Sequence, residues 1–223
     1  MIRRELLGTA QVPGGEKLEL YSHGRDFMIV LQRNELMSTR MRGSEEALAT
    51  MTIERLAGNK TPRLLIGVYG MGFTLRAALS KLGPKAHVSV AELVPEIVDW
   101  ARGPMAELTA GCLDDCRVLL RHGDVADAIV AGNAAYDAIL LDVDNGPDGL
   151  VRDENDRIYS RSGLQAAKRA LTPGGILAVW SAAPDKAFAG RLQRAGFTID
   201  EVQVSARGNG KGPKHVIWFA KKP

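Results

Sequence analysis

Three acidic residues and a group of glycines stand at the ends of short apolar runs in this 223-residue chain. The acidic residues are Glu92, Asp124 and Asp142, and the glycines are Gly67, Gly70 and Gly72. The pattern is typical of alternating strands and helices, in which each apolar run is a buried strand. In an open parallel sheet, ligands bind outside the carboxyl ends of the strands. Four such ends that carry glycines and carboxylates predict one nucleoside-binding pocket.

The glycine segment follows the apolar residues 64–66 and leads directly into a helix. Because glycine lacks a Cβ atom, these three positions tolerate positive φ angles and the close approach of a ligand. A dinucleotide site requires a third glycine where Leu75 stands, and no Gly-Lys-Ser/Thr sequence of a phosphate-binding P-loop follows. The remaining interpretations are a nucleoside site and a tight strand–helix turn that binds no ligand.

Glu92 and Asp124 are the candidate ligands of a nucleoside. Glu92 lies about twenty residues beyond the glycines, the spacing at which a carboxylate accepts hydrogen bonds from ribose hydroxyls. Asp124 is placed to accept a hydrogen bond from the exocyclic amine of adenine, and Val125 beside it completes the cofactor-binding set. The alternatives are a solvated charge for Glu92 and a helix N-cap for Asp124. An N-cap at the rim of the pocket is compatible with ligand binding.

Asp142 is the candidate catalytic residue. An apolar strand delivers its carboxylate to the edge of the sheet, where partial burial would raise the pKa and suit the group to accept a proton. The loop that follows contains five acidic residues, beginning with Asp144, against Arg152 and Arg157. Such a loop suits a cationic substrate, although a solvated acidic surface is the alternative for its outer residues.

Composition and charge argue against several classes of protein. The net charge is only +3, and without a basic face bearing aromatic residues no nucleic-acid partner is expected. Cys112 and Cys116 are too few for a disulfide framework, and the scattered histidines predict no metal. The N-terminus lacks the apolar core of a signal peptide, and no run reaches the length of a membrane span. These features predict a cytoplasmic protein with no membrane partner.

The first 43 residues differ in pattern from the rest of the chain. Leu18 and Leu20 alternate with polar residues, and a turn separates them from an apolar strand at residues 27–31. Residues 1–43 therefore predict a small β-hairpin region. Ser44 is followed by two glutamates, a composition typical of a helix start, so the next domain is expected to begin there.

Residues 44–223 predict a Rossmann-like nucleoside-binding catalytic domain. Strands and helices alternate from residue 62 onward, but the last two strands, at 198–204 and 214–220, have no helix between them. Parallel neighbours need a crossover connection, so this final pair must be antiparallel. The predicted fold class is α/β: a doubly wound Rossmann-like sheet of the class I methyltransferase type that ends in an antiparallel β-hairpin.

Taken together, these motifs resemble the spermidine synthase family, the aminopropyltransferases, over roughly residues 60–220. The matching residues are Gly67, Gly70, Gly72, Thr74, Leu75, Arg76, Glu92, Gly123, Asp124, Tyr136, Asp137, Asp142, Val143, Asp144 and the stretch 157–159. The resemblance implies decarboxylated S-adenosylmethionine as co-substrate. It implies that Glu92 holds the ribose, that Asp124 holds adenine and that Asp142 acts on the amine. It also assigns amine binding to Asp144, Asn145 and Tyr159, and it implies a homodimer.

The chain departs from the family pattern in the amine half of the site. The glycine segment has Tyr69, Gly70 and Met71 where the family has an aspartate among its glycines. The segment from Gln32 to Met37 lacks the tyrosine that contacts polyamine in the family. The nucleoside half of the site is thus retained, while the identity of the amine acceptor is left open.

The predicted function is transfer of an aminopropyl group from decarboxylated S-adenosylmethionine to a small amine, as in polyamine biosynthesis. Asp142 and Asp144 would repel a carboxylate, so charge favours the decarboxylated donor over ordinary S-adenosylmethionine. One alternative is methyl transfer to a small molecule, with the donor's carboxylate bound by the amides of residues 70–72. Another is a nucleoside-binding homologue without catalytic activity.

Overall fold

The computed structural model describes residues 3–56, 58–143 and 156–223. The strands are β1 (Glu5–Gln11), β2 (Lys17–His23), β3 (Asp26–Leu31), β4 (Asn34–Ser38), β5 (Arg63–Gly67), β6 (His87–Glu92), β7 (Val118–His122), β8 (Tyr136–Leu141), β9 (Leu171–Ser181), β10 (Thr198–Ser205) and β11 (Lys214–Lys221). The α-helices are α1 (Gly43–Arg55), α2 (Phe73–Lys81), α3 (Pro95–Arg102), α4 (Ala106–Thr109), α5 (Val125–Ala131), α6 (Asp156–Tyr159), α7 (Arg161–Ala170) and α8 (Lys186–Arg194).

A seven-stranded sheet has the order β10-β11-β9-β8-β5-β6-β7. The strands from β5 to β9 run parallel, whereas β11 is antiparallel to both β9 and β10. The predicted α/β fold with a terminal antiparallel hairpin is therefore confirmed. Strand β9 begins at Leu171, and its pairing with β8 passes through an irregular register before the regular pairing that starts at Ile176.

The N-terminal region is larger than the predicted hairpin. Strands β1 to β4 form a four-stranded antiparallel sheet in sequential order, and the alternation that predicted it buries Leu18 and Leu20. These leucines belong to one apolar cluster with Leu64 and Ile66 of the large sheet. The N-terminal sheet thus shares its core with the rest of the protein, and a domain boundary at residue 43 stays a prediction.

Helix α1 begins where it packs against the turn between β10 and β11. A Cβ atom on Gly43 would lie 2.5 Å from the amide nitrogen of Gly208, and the Gly43 amide donates to the Ala206 carbonyl at 2.8 Å. Only glycine permits this approach without a shift of the backbone. The sequence context of Ser44 suggests an N-cap residue, but Ser44 is not the N-cap of α1. It lies in the first helical turn, and its hydroxyl contacts His215 Nδ1 at 2.9 Å.

Candidate functional site

A cavity of about 300 Å³ lies at the carboxyl ends of the parallel strands and is bordered by the N-terminal sheet. Glu92 ends β6, Asp124 follows β7 and Asp142 follows β8, and all three line this cavity together with Gly70. The structure therefore brings together the acidic residues that the sequence singles out. Their convergence follows from the parallel arrangement, because the carboxyl ends of neighbouring parallel strands share one edge of the sheet.

The three glycines of the loop have different surroundings. Gly67 is not among the residues that line the cavity, and a Cβ there would lie 2.7 Å from Val125 and 2.9 Å from Leu141. Gly70 and Gly72 have positive φ angles of 57° and 75°, which favour glycine. Of the three, only Gly70 lines the cavity, and the assignment of all three to cofactor binding stays a prediction.

Val68 is a strained residue in the same loop. Its φ angle is 90°, which is rarely adopted by a β-branched side chain. Its amide donates to the Ala91 carbonyl at 2.9 Å, and its side chain lines the cavity. Strain of this kind persists where the surroundings impose it, and it is concentrated at binding sites. The sequence gives no sign of it.

Glu92 organises the glycine loop. Its side chain is 3% exposed, and its two oxygens accept hydrogen bonds at 2.9 Å from the amides of Tyr69 and Val94. Burial raises the pKa of Glu92, while these backbone donors oppose that shift. Each carboxylate oxygen has a further lone pair with which it could accept a hydrogen bond from a ribose hydroxyl. The predicted ribose binding is therefore compatible with these contacts and stays a prediction. The two amide contacts give Glu92 a second role, because they hold the glycine loop next to the start of α3.

Asp124 is the N-cap of α5, the alternative that its sequence context left open. Its Oδ1 accepts from the Ala126 amide at 2.8 Å, and its Oδ2 lies 3.5 Å from the guanidinium of Arg157. Val125 next to it lines the cavity and packs against the position of Gly67. Capping leaves Asp124 on the cavity wall, so its predicted contact with adenine is compatible with this geometry.

Asp142 shares the cavity with a second carboxyl group that the sequence does not reveal as a site residue. Burial raises the pKa of Asp142 to about 7. Glu45, in the first turn of α1, is 7% exposed and also lines the cavity. Burial and the charge of Asp142 raise the pKa of Glu45 well above its ordinary value. The sequence pattern of Glu45 indicates only a favourable charge at a helix start, so its position here is missed.

The raised pKa of Asp142 predicts a stability that depends on pH. The folded protein holds this proton more tightly than the unfolded chain, so the free energy of unfolding falls as the pH rises from the ordinary pKa of 3.8 through about 7. We expect wild-type protein to lose more stability than Asp142→Asn between about pH 5 and about pH 8 in denaturant unfolding. Equal losses in the two proteins would contradict the raised pKa.

Further cavity residues come from segments that sequence reasoning did not connect with the site. The rings of Trp180, in β9, and His215, in β11, pack edge to face with centroids 4.7 Å apart. Burial lowers the pKa of His215, which favours its neutral form and adds no positive charge to the cavity. Their participation depends on the antiparallel pairing of β11 with β9, and no local motif marks either residue.

Tyr159, the one described residue of the three assigned to amine binding, is not among the residues that line the cavity. Tyr159 is 3% exposed, its hydroxyl lies 3.4 Å from the Val143 carbonyl, and its ring packs edge to face with Phe188. Asp144 and Asn145 lie outside the described residues. The assignment of all three to amine binding stays a prediction, and the contacts of Tyr159 give it a packing role.

Three further findings concern metals, thiols and membranes. Within residues 3–56, 58–143 and 156–223, no group of three or more His, Cys, Asp or Glu residues is arranged to hold a metal ion. Cys112 and Cys116 are free thiols, and Cys112 Sγ lies 3.3 Å from the Tyr69 hydroxyl. No helix in the described part of the chain is long and apolar enough to cross a membrane.

Comparison with solved structures defines the class of fold. The chain superposes on spermidine synthase from Thermotoga maritima with a TM-score of 0.77, covering 98% of this chain and 72% of that one. The sequence identity is 15%, so this likeness shows the fold alone. The fold is that of the methyltransferase-like class, with the seven-stranded sheet and the N-terminal antiparallel sheet described above.

Sequence comparisons confirm the resemblance to the spermidine synthase family. The chain is 33% identical over 121 residues to a polyamine aminopropyltransferase of Mycobacterium tuberculosis. It is 28% identical over 115 residues to a polyamine aminopropyltransferase of Sulfolobus acidocaldarius. Each match covers 52% of this chain, but only 22% of the first relative and 37% of the second. No protein-family model matches the chain.

Proposed function

We propose that this protein transfers an aminopropyl group from decarboxylated S-adenosylmethionine to a small amine. The observation that carries the proposal is a pair of carboxyl groups, the buried Glu45 and the half-buried Asp142, in the same cavity as Glu92 and Asp124. A buried carboxylate without a cation is costly, and a cationic or amine ligand would offset that cost. The names of the relatives, polyamine aminopropyltransferase and spermidine synthase, support the same class of reaction.

The nucleoside half of the donor would be held at the ends of β6 and β7. Glu92 would accept hydrogen bonds from the ribose hydroxyls, and Asp124 would accept one from the exocyclic amine of adenine. Val125 and the Gly70 backbone would contact the nucleoside between them. Both carboxylates are already fixed by backbone amides, so little ordering cost would accompany binding.

The transfer step needs an amine nitrogen with a free lone pair. The amine would give up a proton, and its lone pair would then form a bond to the methylene carbon of the aminopropyl group that is attached to the sulfonium sulfur. The bond between that carbon and sulfur breaks, its electrons move to sulfur, and the neutral thioether nucleoside leaves. Asp142, with its pKa raised to about 7, is suited to take the proton near neutral pH.

Donor choice distinguishes this proposal from methyl transfer. Because Glu45 and Asp142 disfavour a nearby carboxylate, we expect decarboxylated S-adenosylmethionine to bind about 5- to 150-fold more tightly than ordinary S-adenosylmethionine. Titration calorimetry with the two donors, which differ only in the carboxylate, measures this ratio. Tighter binding of ordinary S-adenosylmethionine at low salt would contradict the proposal and favour a methyltransferase.

The acceptor, the assembly and the location are further parts of the proposal. We expect a small amine acceptor, a homodimer like those common in the family, and a cytoplasmic protein with no nucleic-acid or membrane partner. Turnover with a panel of mono-, di- and polyamines tests the acceptor. Donor binding without turnover on any amine would favour the alternative of a nucleoside-binding homologue without activity.

A further inference from the structure

Three of the five amides of the glycine loop, residues 68–72, donate hydrogen bonds to oxygen atoms within the protein. Val68 donates to the Ala91 carbonyl and Gly72 to the Tyr69 carbonyl, each at 2.9 Å. The Tyr69 amide donates to Glu92, and the Gly70 amide also lies within hydrogen-bonding reach of that carboxylate. A loop of this kind binds an anion only when its amides point at the ligand. Three of the five loop amides are therefore engaged by oxygen acceptors, and the Gly70 amide lies beside the Glu92 carboxylate, which would repel a second carboxylate.

The fifth amide is held by a much weaker acceptor. The Met71 amide donates to the thioether sulfur of Met37 at 3.2 Å, and a thioether accepts hydrogen bonds only weakly. The Met37 side chain also covers Gly70, since a Cβ there would lie 2.7 Å from its Cε and 2.8 Å from its Sδ. Met37 thus covers the place where a donor's carboxylate could reach a loop amide.

Met37 lies in β4, at the edge of the N-terminal sheet. It lines the main cavity together with Glu45, Asp142 and Gly70, and the same four residues border a small recess beside the loop. A ligand tail that extends from the nucleoside toward Asp142 would therefore pass Met37. A carboxylate on that tail would need to displace the thioether and approach two acidic side chains.

On the basis of the proposed function, we propose that Met37 is a donor-specificity residue that excludes adenosyl sulfonium donors carrying a carboxylate. Its side chain fills the space over Gly70 and occupies the Met71 amide, the loop amide held by the weakest acceptor. The decarboxylated donor has no group that needs this amide, so Met37 does not hinder it. Specificity then comes from an obstacle to the wrong donor as much as from attraction of the right one.

The test compares the affinities of ordinary and decarboxylated S-adenosylmethionine for wild type, Met37→Ala and Met41→Ala. Met41 also lines the cavity but is not among the residues that border the recess at the glycine loop, so its variant is the matched control. Truncation of Met37 frees the Met71 amide and the space over Gly70. We expect the preference for the decarboxylated donor to fall about tenfold in Met37→Ala, which is the effect of about one added hydrogen bond to a charged group.

We expect Met41→Ala to keep the wild-type preference. Met37 is half-buried on an edge strand, so its truncation should leave the protein folded, and circular dichroism checks this. An unchanged preference in Met37→Ala, or an equal change in Met41→Ala, would overturn the assignment while leaving the proposed function in place. Failure of wild type to bind either donor would overturn the proposed function and this assignment with it.

Discussion

Asp142→Asn is expected to lower turnover by about 10²- to 10⁴-fold, the usual contribution of a general base. The substitution keeps the shape of the side chain but removes the group that would take the amine proton. Donor affinity should change far less, because Glu92, Asp124 and the glycine loop would hold the nucleoside. Steady-state turnover and calorimetric donor binding on the same preparation measure the two effects separately.

The matched control is Asp137, which lies at the start of β8, the strand that Asp142 follows. Asp137 in β8 accepts hydrogen bonds from the Arg63 amide at 2.8 Å and from the Thr172 hydroxyl at 3.0 Å, and it is not among the residues that line the cavity. Asp137→Asn should reduce the free energy of unfolding while turnover is retained. Asp142→Asn should keep or slightly raise stability, since it removes a half-buried carboxylate whose pKa is raised by burial. Retained activity with lost stability in Asp142→Asn would make Asp142 a structural residue at the end of a strand.

Glu92→Gln is expected to weaken binding of the thioether nucleoside about ten- to a hundredfold, the effect of losing charge-assisted hydrogen bonds worth roughly 1.5–3 kcal/mol. The structure adds a second consequence. Both oxygens of Glu92 accept backbone amides, and the amide group of glutamine would place a donor against a donor. We therefore expect stability to fall as well, by about 1–3 kcal/mol for an unsatisfied buried group.

The substitution Asp124→Asn separates the effect on nucleoside affinity from the effect on stability. Asparagine is as good an N-cap as aspartate, so the bond to the Ala126 amide and the stability of α5 should persist. Nucleoside affinity should fall if Asp124 accepts a hydrogen bond from adenine through Oδ2, the carboxylate oxygen that does not cap α5. An unchanged dissociation constant for the thioether nucleoside in Glu92→Gln would contradict the assignment of Glu92 to the ribose.

The sheet and the acidic side chains at its edge are predictable because they depend on local patterns. Apolar runs define β5, β6 and β8, and the parallel arrangement that follows brings Glu92, Asp124 and Asp142 to one edge. The antiparallel pair at the C-terminal end is equally predictable from the missing crossover helix. The identity of the capping residue of α5 is also local, since Asp124 is followed directly by helical residues.

The remaining part of the site depends on contacts between distant segments. Glu45 reaches the cavity because Gly43 allows α1 to start against the turn that follows β10. No local sequence pattern predicts this contact between α1 and the turn. Met37 reaches the glycine loop only because the N-terminal sheet continues past a hairpin to β4. The sequence predicts one hairpin there, since the turn at residues 32–33 uses two non-glycine residues at positive φ that turn rules disfavour.

One reaction tests the central claim most directly: incubation of the purified protein with decarboxylated S-adenosylmethionine and a panel of small amines, with product masses read by mass spectrometry. We predict that an amine gains one aminopropyl group while the methylthio nucleoside appears in equal amount, and that Asp142→Asn loses this product while still binding the donor. Methylation of an acceptor with ordinary S-adenosylmethionine, together with no aminopropyl product from any amine, would contradict the proposed function.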